Sequence, residues 1–119
     1  ILKARVLPVE LVDRRFYHLD TCFCPLNAKS AVWFPRAFDR YGRKVIERVV
    51  EDPIEVDQAD AKRFACNAIA IDRSVVLHEK CSFSLRRRLA RRGFQVHPID
   101  LSEFLKAGGS AKCLVLRLQ

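Results

Sequence analysis

Hydrophobic and polar residues alternate along this chain with a period that changes in a recurring order. Residues 2–7 alternate and predict a strand, ended by Pro8. The alternation returns from His18 to Cys24, with His18, Asp20, Cys22 and Cys24 on one face and Leu19, Thr21 and Phe23 on the other. That predicts a strand stopped at Pro25 and Asn27. Ala31–Phe34 is a further short strand. Residues 36–50 then take a helical period, with Ala37, Tyr41, Val45 and Val49 on one stripe and Gly42 weakening the middle. Pro53 stops the helix, and Ile54–Val56 reads as a strand. Asp57 caps a short helix through Phe64.

The same order then recurs after about 50 residues. Cys66–Ile71 and Ser74–His78 are strands joined by an Asp72-Arg73 turn. Residues 82–92 are helical around Phe83, Leu85 and Leu89, with Gly93 at the exit. Phe94–His97 is a strand, Ser102–Leu105 a short helix, and residues 112–118 a last strand that carries Cys113. The expected class is α/β, built of strand–strand–helix–strand units: a first repeat over about 18–60, a second over about 66–106, and the final strand 112–118. All 119 residues fit a single domain. Two such units are too few to bury their own sheets, since repeat folds need at least about three. The chain also contains no methionine, so it is expected to be a piece of something longer or to associate with another copy.

Composition narrows the class of partner. No apolar run approaches the roughly 20 residues that span a bilayer, so no membrane partner is expected. There is no secretory pattern, and the five cysteines are odd in number and scattered; free thiols in a reducing, cytoplasmic setting are expected. The formal charge is +8, from 22 Lys and Arg against 14 Asp and Glu. A basic nucleic-acid-binding domain is therefore one reading. Much of the charge, however, sits in the run Arg86-Arg87-Arg88-Leu89-Ala90-Arg91-Arg92, on a helix face without interleaved aromatic residues, as base stacking would require.

Two places carry candidate chemistry. Near the end, Gly108 and Gly109 form a turn without side chains ahead of Ser110 and Cys113. That arrangement suits a nucleophile, but these residues alone favour a buried thiol after a tight turn, since free cysteine is among the most buried residue types. In His18-Leu19-Asp20, an imidazole and a carboxylate share one face of the expected strand, a pattern that suits proton transfer or cation holding, and equally a solvated surface pair. His18, Cys22 and Cys24 can also be read as metal ligands, but no second closely spaced pair accompanies them; no metal and no other cofactor are expected.

Four segments together resemble a known family: His18-Leu19-Asp20-Thr21-Cys22-Phe23; Trp33-Phe34-Pro35-Arg36-Ala37-Phe38; Asp60–Ala68; and Leu101–Cys113. The chain resembles the C-terminal part of the guanidino-group-modifying enzymes, the amidinotransferase superfamily of arginine deiminases, dimethylarginine dimethylaminohydrolases, glycine amidinotransferases and arginine dihydrolases. The resemblance implies the pentein fold, a β/α-propeller of five strand–strand–helix–strand units, of which about two are present. It implies that Cys113 is the thiolate that attacks the guanidinium carbon of arginine or a related compound, forming a covalent thiouronium. His18 is then the general acid and base, and Asp20 holds the guanidinium. Gly108, Gly109 and Ser110 line the substrate, as does Asn67. A further acidic residue of the family's pocket has no match here and is expected in the missing repeats, which would be partners of this part. The resemblance does not separate hydrolases from amidinotransferases. Another reading is a non-catalytic pentein module of the ribosome-factor type, although such a scaffold has no use for His18, Asp20 and Cys113 together.

Overall fold

The computed structural model describes residues 3–116 and residue 118. Strand β1 (Phe23–Pro25) turns back onto β2 (Ser30–Trp33), and the pair is antiparallel. The Asn27 carboxamide oxygen closes this turn, accepting from the amides of Lys29 and Ser30 at 2.8 Å each. Helix α1 (Arg40–Val49) then carries the chain over to β3 (Asp52–Glu55), which lies parallel to β2. All four residues of β2 are buried, as suits a central strand covered on both faces. After the short helix α2 (Gln58–Lys62) the order repeats. Strands β4 (Ile69–Ile71) and β5 (Ser74–His78) are antiparallel, helix α3 (Phe83–Arg91) crosses over, and β6 (Gln95–Ile99) is parallel to β5. Helix α4 (Ser102–Leu105) follows. The fold is thus mixed α/β with two small three-stranded sheets, β1-β2-β3 and β4-β5-β6, of identical topology.

Local chemistry sets the boundaries. Asp39, Asp57 and Ser82 each cap a helix, accepting from the amides of Gly42, Asp60 and Leu85. Gly93, at φ +84°, ends α3 in the left-handed conformation that glycine adopts without cost. The helix expected over 36–50 is split, but not by Gly42. Pro35–Ala37 is a 3-10 turn and α1 begins at Arg40. Gly42 falls in the first turn, where a Cβ would come within 2.8 Å of the capping Asp39 carboxylate.

Four expected strands differ. Residues 3–7 form none (Leu2 lies outside the described residues); the backbone there pairs with the fold beyond Pro8, through a bridge from Leu11 to Phe38. The strand expected over 18–24 is a 3-10 turn at Leu19–Thr21 followed by the short β1, because the His18 carbonyl accepts from both the amide and the hydroxyl of Thr21, at 3.0 and 2.6 Å. His18 and Asp20 therefore do not share a strand face. Residues 66–68 are a buried loop and the strand there starts at Ile69. The final strand expected over 112–118 is a 3-10 turn at Ala111–Leu114, and Val115 and Leu116 are in no strand (Arg117 lies outside the described residues). Its amides turn inward onto Asn67 instead of pairing with a sheet edge.

One core joins both units, centred on Trp33, Phe38, Ile54, Leu77, Leu85 and Leu89, each at most 1% exposed. Polar ties cross between the units as well. Ser82, at the start of α3, donates its amide and hydroxyl to the buried Asp60 carboxylate at 2.7 and 2.6 Å, and its oxygen in turn accepts from Leu85. Asp60→Ala leaves this cap without its acceptor. We expect a loss of about 2–3 kcal/mol, read as a lower urea midpoint at unchanged slope; a loss below about 0.5 kcal/mol would show the relay to be dispensable.

The arginine run of α3 is largely spent on the fold. Arg92 binds Asp52 through Nε and Nη2 at 2.6 and 2.9 Å, and its guanidinium holds the Asp52 carboxyl below the ordinary carboxylate range. Arg88 donates to the Glu55 carbonyl at 2.7 Å, so α3 of the second unit is laced to β3 of the first. Arg86 donates to the carbonyls of Glu79 and Cys81. Only Arg87 and Arg91 of the run are left without such a tie among the described residues. No helix among the described residues is long and apolar enough to cross a membrane.

Candidate active site

The glycine loop after α4 is held at its front by Tyr17, whose hydroxyl donates to the Gly108 carbonyl at 3.0 Å. Gly108 sits at φ +83°, and a Cβ there would stand 3.0 Å from the Tyr17 oxygen. Gly109 faces the thiol: a Cβ on it would meet the Cys113 Cβ at 3.1 Å and the Sγ at 3.4 Å. Glycine at 109 thus leaves the space beside the sulfur open, and glycine at 108 allows the backbone to reverse.

Behind the loop lies Asn67, with no exposed surface. Its Oδ1 accepts from the amides of Ser110 at 2.9 Å and Cys113 at 3.3 Å, and its backbone carbonyl accepts from Lys112 at 3.0 Å. Its Nδ2 donates in the other direction, to the Asp20 carbonyl at 2.9 Å. Two N–H donors on one side and a carbonyl on the other leave the carboxamide a single orientation.

The opposite wall is the 3-10 turn. His18 precedes it and is exposed, its ring packed edge-on against Tyr17 with centroids 4.7 Å apart. Asp20 lies in the turn. Its Oδ1 is buried without a hydrogen-bond partner, as is the Ser110 hydroxyl oxygen. A buried carboxylate oxygen without a donor is costly, and a donor-rich cation would satisfy it. Among the described residues no three His, Cys, Asp or Glu side chains gather as a metal site.

The seven residues singled out in the sequence, His18, Asp20, Asn67, Gly108, Gly109, Ser110 and Cys113, therefore fall in one region, tied by direct hydrogen bonds through Asn67 and Tyr17. Asn67 differs from expectation: a side chain with no exposed surface, whose Oδ1 accepts from two backbone amides and whose Nδ2 donates to a backbone carbonyl, lies beneath the site instead of lining a substrate. Tyr17 was not anticipated. Its only signal in the sequence is its place beside His18.

The five thiols divide sharply. Cys22, Cys24, Cys66 and Cys81 are buried, and Cys113 is exposed. Burial pushes Cys22 and Cys81 up to about 12 and Cys24 up to about 11, and lifts Cys66 well above the ordinary thiol range. Since the thiolate is the reactive form, these four are inert near neutrality. Cys22 and Cys24, once possible metal ligands, direct their sulfurs at the carbonyls of Leu19 and Ala68, each 3.5 Å away.

No protein-family profile matches the chain. Among curated proteins it is 46% identical over 119 residues to the bifunctional arginine dihydrolase/ornithine cyclodeaminase ArgZ of a Synechocystis strain, covering 98% of this chain and 17% of that protein. It is 37% identical over 118 residues to the N(G),N(G)-dimethylarginine dimethylaminohydrolase of Mycobacterium tuberculosis, covering 99% of this chain and 39% of that protein. Solved structures of the N-terminal domain of ArgZ superpose with a TM-score of 0.89 at 47% identity, over 93% of this chain and 41% of theirs. One is bound to product and another is covalently bonded to a reaction intermediate. The chain thus spans well under half the length of each of these relatives.

Proposed function

The chain is homologous to guanidino-modifying enzymes of the pentein superfamily, and on that premise we propose that the protein to which it belongs is a hydrolase of arginine or a closely related guanidino compound. The observation that carries the reading is the meeting, on one hydrogen-bonded scaffold, of a single exposed thiol, an exposed imidazole and a buried carboxylate oxygen without a donor. A guanidinium supplies what that oxygen lacks, a cation with several N–H donors.

In the proposed reaction the Cys113 thiolate attacks the guanidinium carbon while Asp20 holds the guanidinium nitrogens. The tetrahedral adduct collapses by breaking a C–N bond, and His18 gives the departing nitrogen its proton. The covalent thiouronium that remains is attacked by a water from which His18 has taken a proton. A second collapse breaks the C–S bond and returns the thiolate, leaving a ureido intermediate; a second round of the same steps on its carbon releases the other terminal nitrogen as ammonia and leaves a carbamate that loses carbon dioxide. The substrate carries its own positive charge, so no metal is called on. Hydrolysis is preferred to amidino transfer because both named relatives are hydrolases. The two strand–strand–helix–strand units are then two of the five of a β/α-propeller. The remaining repeats supply the other acidic residue of the pocket, and a reducing, cytoplasmic compartment suits five free thiols.

The test is product analysis on the full-length protein. With arginine we expect two ammonia released per molecule, one for each of two successive hydrolyses, as the greater identity to an arginine dihydrolase indicates. A single ammonia with accumulation of a ureido product would assign a deiminase, and dimethylamine from dimethylarginine a dimethylaminohydrolase. No amine released from any of these would sink the reading in favour of a non-catalytic module.

A further inference from the structure

We propose that Asn67 is a positioning residue, whose carboxamide sets the distance and orientation of the Cys113 loop relative to the His18–Asp20 turn. The inference rests on the functional reading above, but it concerns a side chain that no substrate could touch. Asn67 stands in the loop between α2 and β4, in the middle of the chain. The two segments it joins come from opposite ends: Asp20 lies 47 positions before it, and Ser110 and Cys113 lie 43 and 46 positions after.

Neither segment is itself paired as a strand in a sheet. The turn carrying Asp20 precedes β1, and the loop carrying Cys113 belongs to no strand. Apart from the Asn67 bonds and that of Tyr17 to Gly108, the described hydrogen bonds of the 106–113 loop run within the loop and its preceding helix. The carboxamide therefore acts as a spacer of fixed length. One end accepts two loop amides, and the other donates to the Asp20 carbonyl. Both lone-pair directions of Oδ1 are occupied, so the spacer cannot rotate without leaving a buried amide unpaired.

A second consequence concerns charge. Oδ1 lies 3.3 Å from the Cys113 amide nitrogen, directly beneath the thiol's own backbone. A neutral acceptor at this point leaves the loop amides paired without opposing a negative sulfur. An aspartate would keep the two accepted bonds, face the Asp20 carbonyl with an oxygen in place of a donor, and place a buried negative charge under a group that must ionise. Like charge disfavours the charged form.

Two variants of the full-length protein test this. Asn67→Ala removes the spacer; we expect kcat for arginine to fall about 100-fold, the scale set by misplacing reacting groups by about 1 Å. Asn67→Asp keeps the shape; we expect the pH midpoint of Cys113 alkylation by iodoacetamide to rise by about one unit, followed by mass spectrometry of the Cys113 peptide. A purely structural asparagine would lower the thermal midpoint of both variants and leave the alkylation profile where it was. Folded variants with kcat and alkylation midpoint within threefold and 0.3 units of the unsubstituted protein would overturn the proposal, as would a fall in kcat with no shift of the profile. If Asn67→Ala does not fold, Asn67→Asp decides alone. If neither folds, Asn67 belongs to the core and the proposal fails. The alkylation series needs no turnover, so an inactive parent protein would refute the functional reading while still deciding the role of Asn67.

Discussion

Replacing Cys113 by serine is expected to lower turnover of arginine by the full-length protein at least about 10⁴-fold while leaving the fold intact. The size follows from the chemistry. A hydroxyl is not ionised near neutrality, and no base lies within described hydrogen-bond reach of position 113, where the backbone amide pairs only with Asn67 and Ser110. A serine hydroxyl there is far harder to ionise than a thiol, even with His18 as base, so the alkoxide that attack on a guanidinium carbon needs is scarce. Stability changes little because Cys113 is exposed and exposed substitutions stay within about 0.5 kcal/mol. The parent protein, treated with a haloacetamidine-type reagent that carries the amidinium of the substrate, should be modified at Cys113 alone. The four other thiols are buried and raised to about 11 or beyond, so they contribute little thiolate. Equal labelling of all five cysteines, or turnover by Cys113→Ser within tenfold of the parent, would remove the thiol from the reaction.

Replacement of His18 by alanine is the other large effect, about 10²–10⁴-fold in kcat, the range of a positioned general acid and base. His18 is exposed and its ring touches Tyr17, so its loss costs the fold little and the change is carried by kcat. The proposed role places the deficit at the two proton transfers. An arginine analogue with a less basic leaving group, which departs without a proton, should lose less between the parent and the variant than arginine does. Haloacetamidine labelling of Cys113, which needs no departing amine, should survive. A kcat within threefold of the parent, or an equal loss for both substrates, would assign His18 to another task. Because Tyr17 ties the same segment to the Gly108 carbonyl, the variant must retain its thermal midpoint for this comparison to count.

The units of the fold were legible in the residue pattern. β5, α3 and β6 fall where Ser74–His78, residues 82–92 and Phe94–His97 predict them, because apolar alternation and a serine cap act over a few residues. The same pattern misled at both walls of the site. His18 to Cys24 alternates like a strand, yet the Thr21 hydroxyl reaches the His18 carbonyl and coils the chain. Residues 112–118 are apolar like a strand, yet the amides of Lys112 and Cys113 turn onto Asn67. The arginine run reads as a solvated or nucleic-acid face, yet Arg88 and Arg92 bind β3 of the other unit, whose nearness no local pattern announces.

By itself, then, the sequence determined the repeated strand–strand–helix–strand order and the identity of the residues with candidate chemistry. Both are properties of neighbours in the chain and of side-chain type, and the likeness to guanidino-modifying enzymes rests on those residues in that order. Tertiary structure alone decided that Cys113 is the exposed thiol while four others are buried. It also decided that Asp20 keeps a buried oxygen unpaired, and that one asparagine joins the two walls. Burial and long-range hydrogen bonds depend on which distant segments share the same space. Asn67 could be named from its surroundings in the sequence, but its partners, Asp20, Ser110 and Cys113, are chosen by the packing of two sheets that bring both ends of the chain to it.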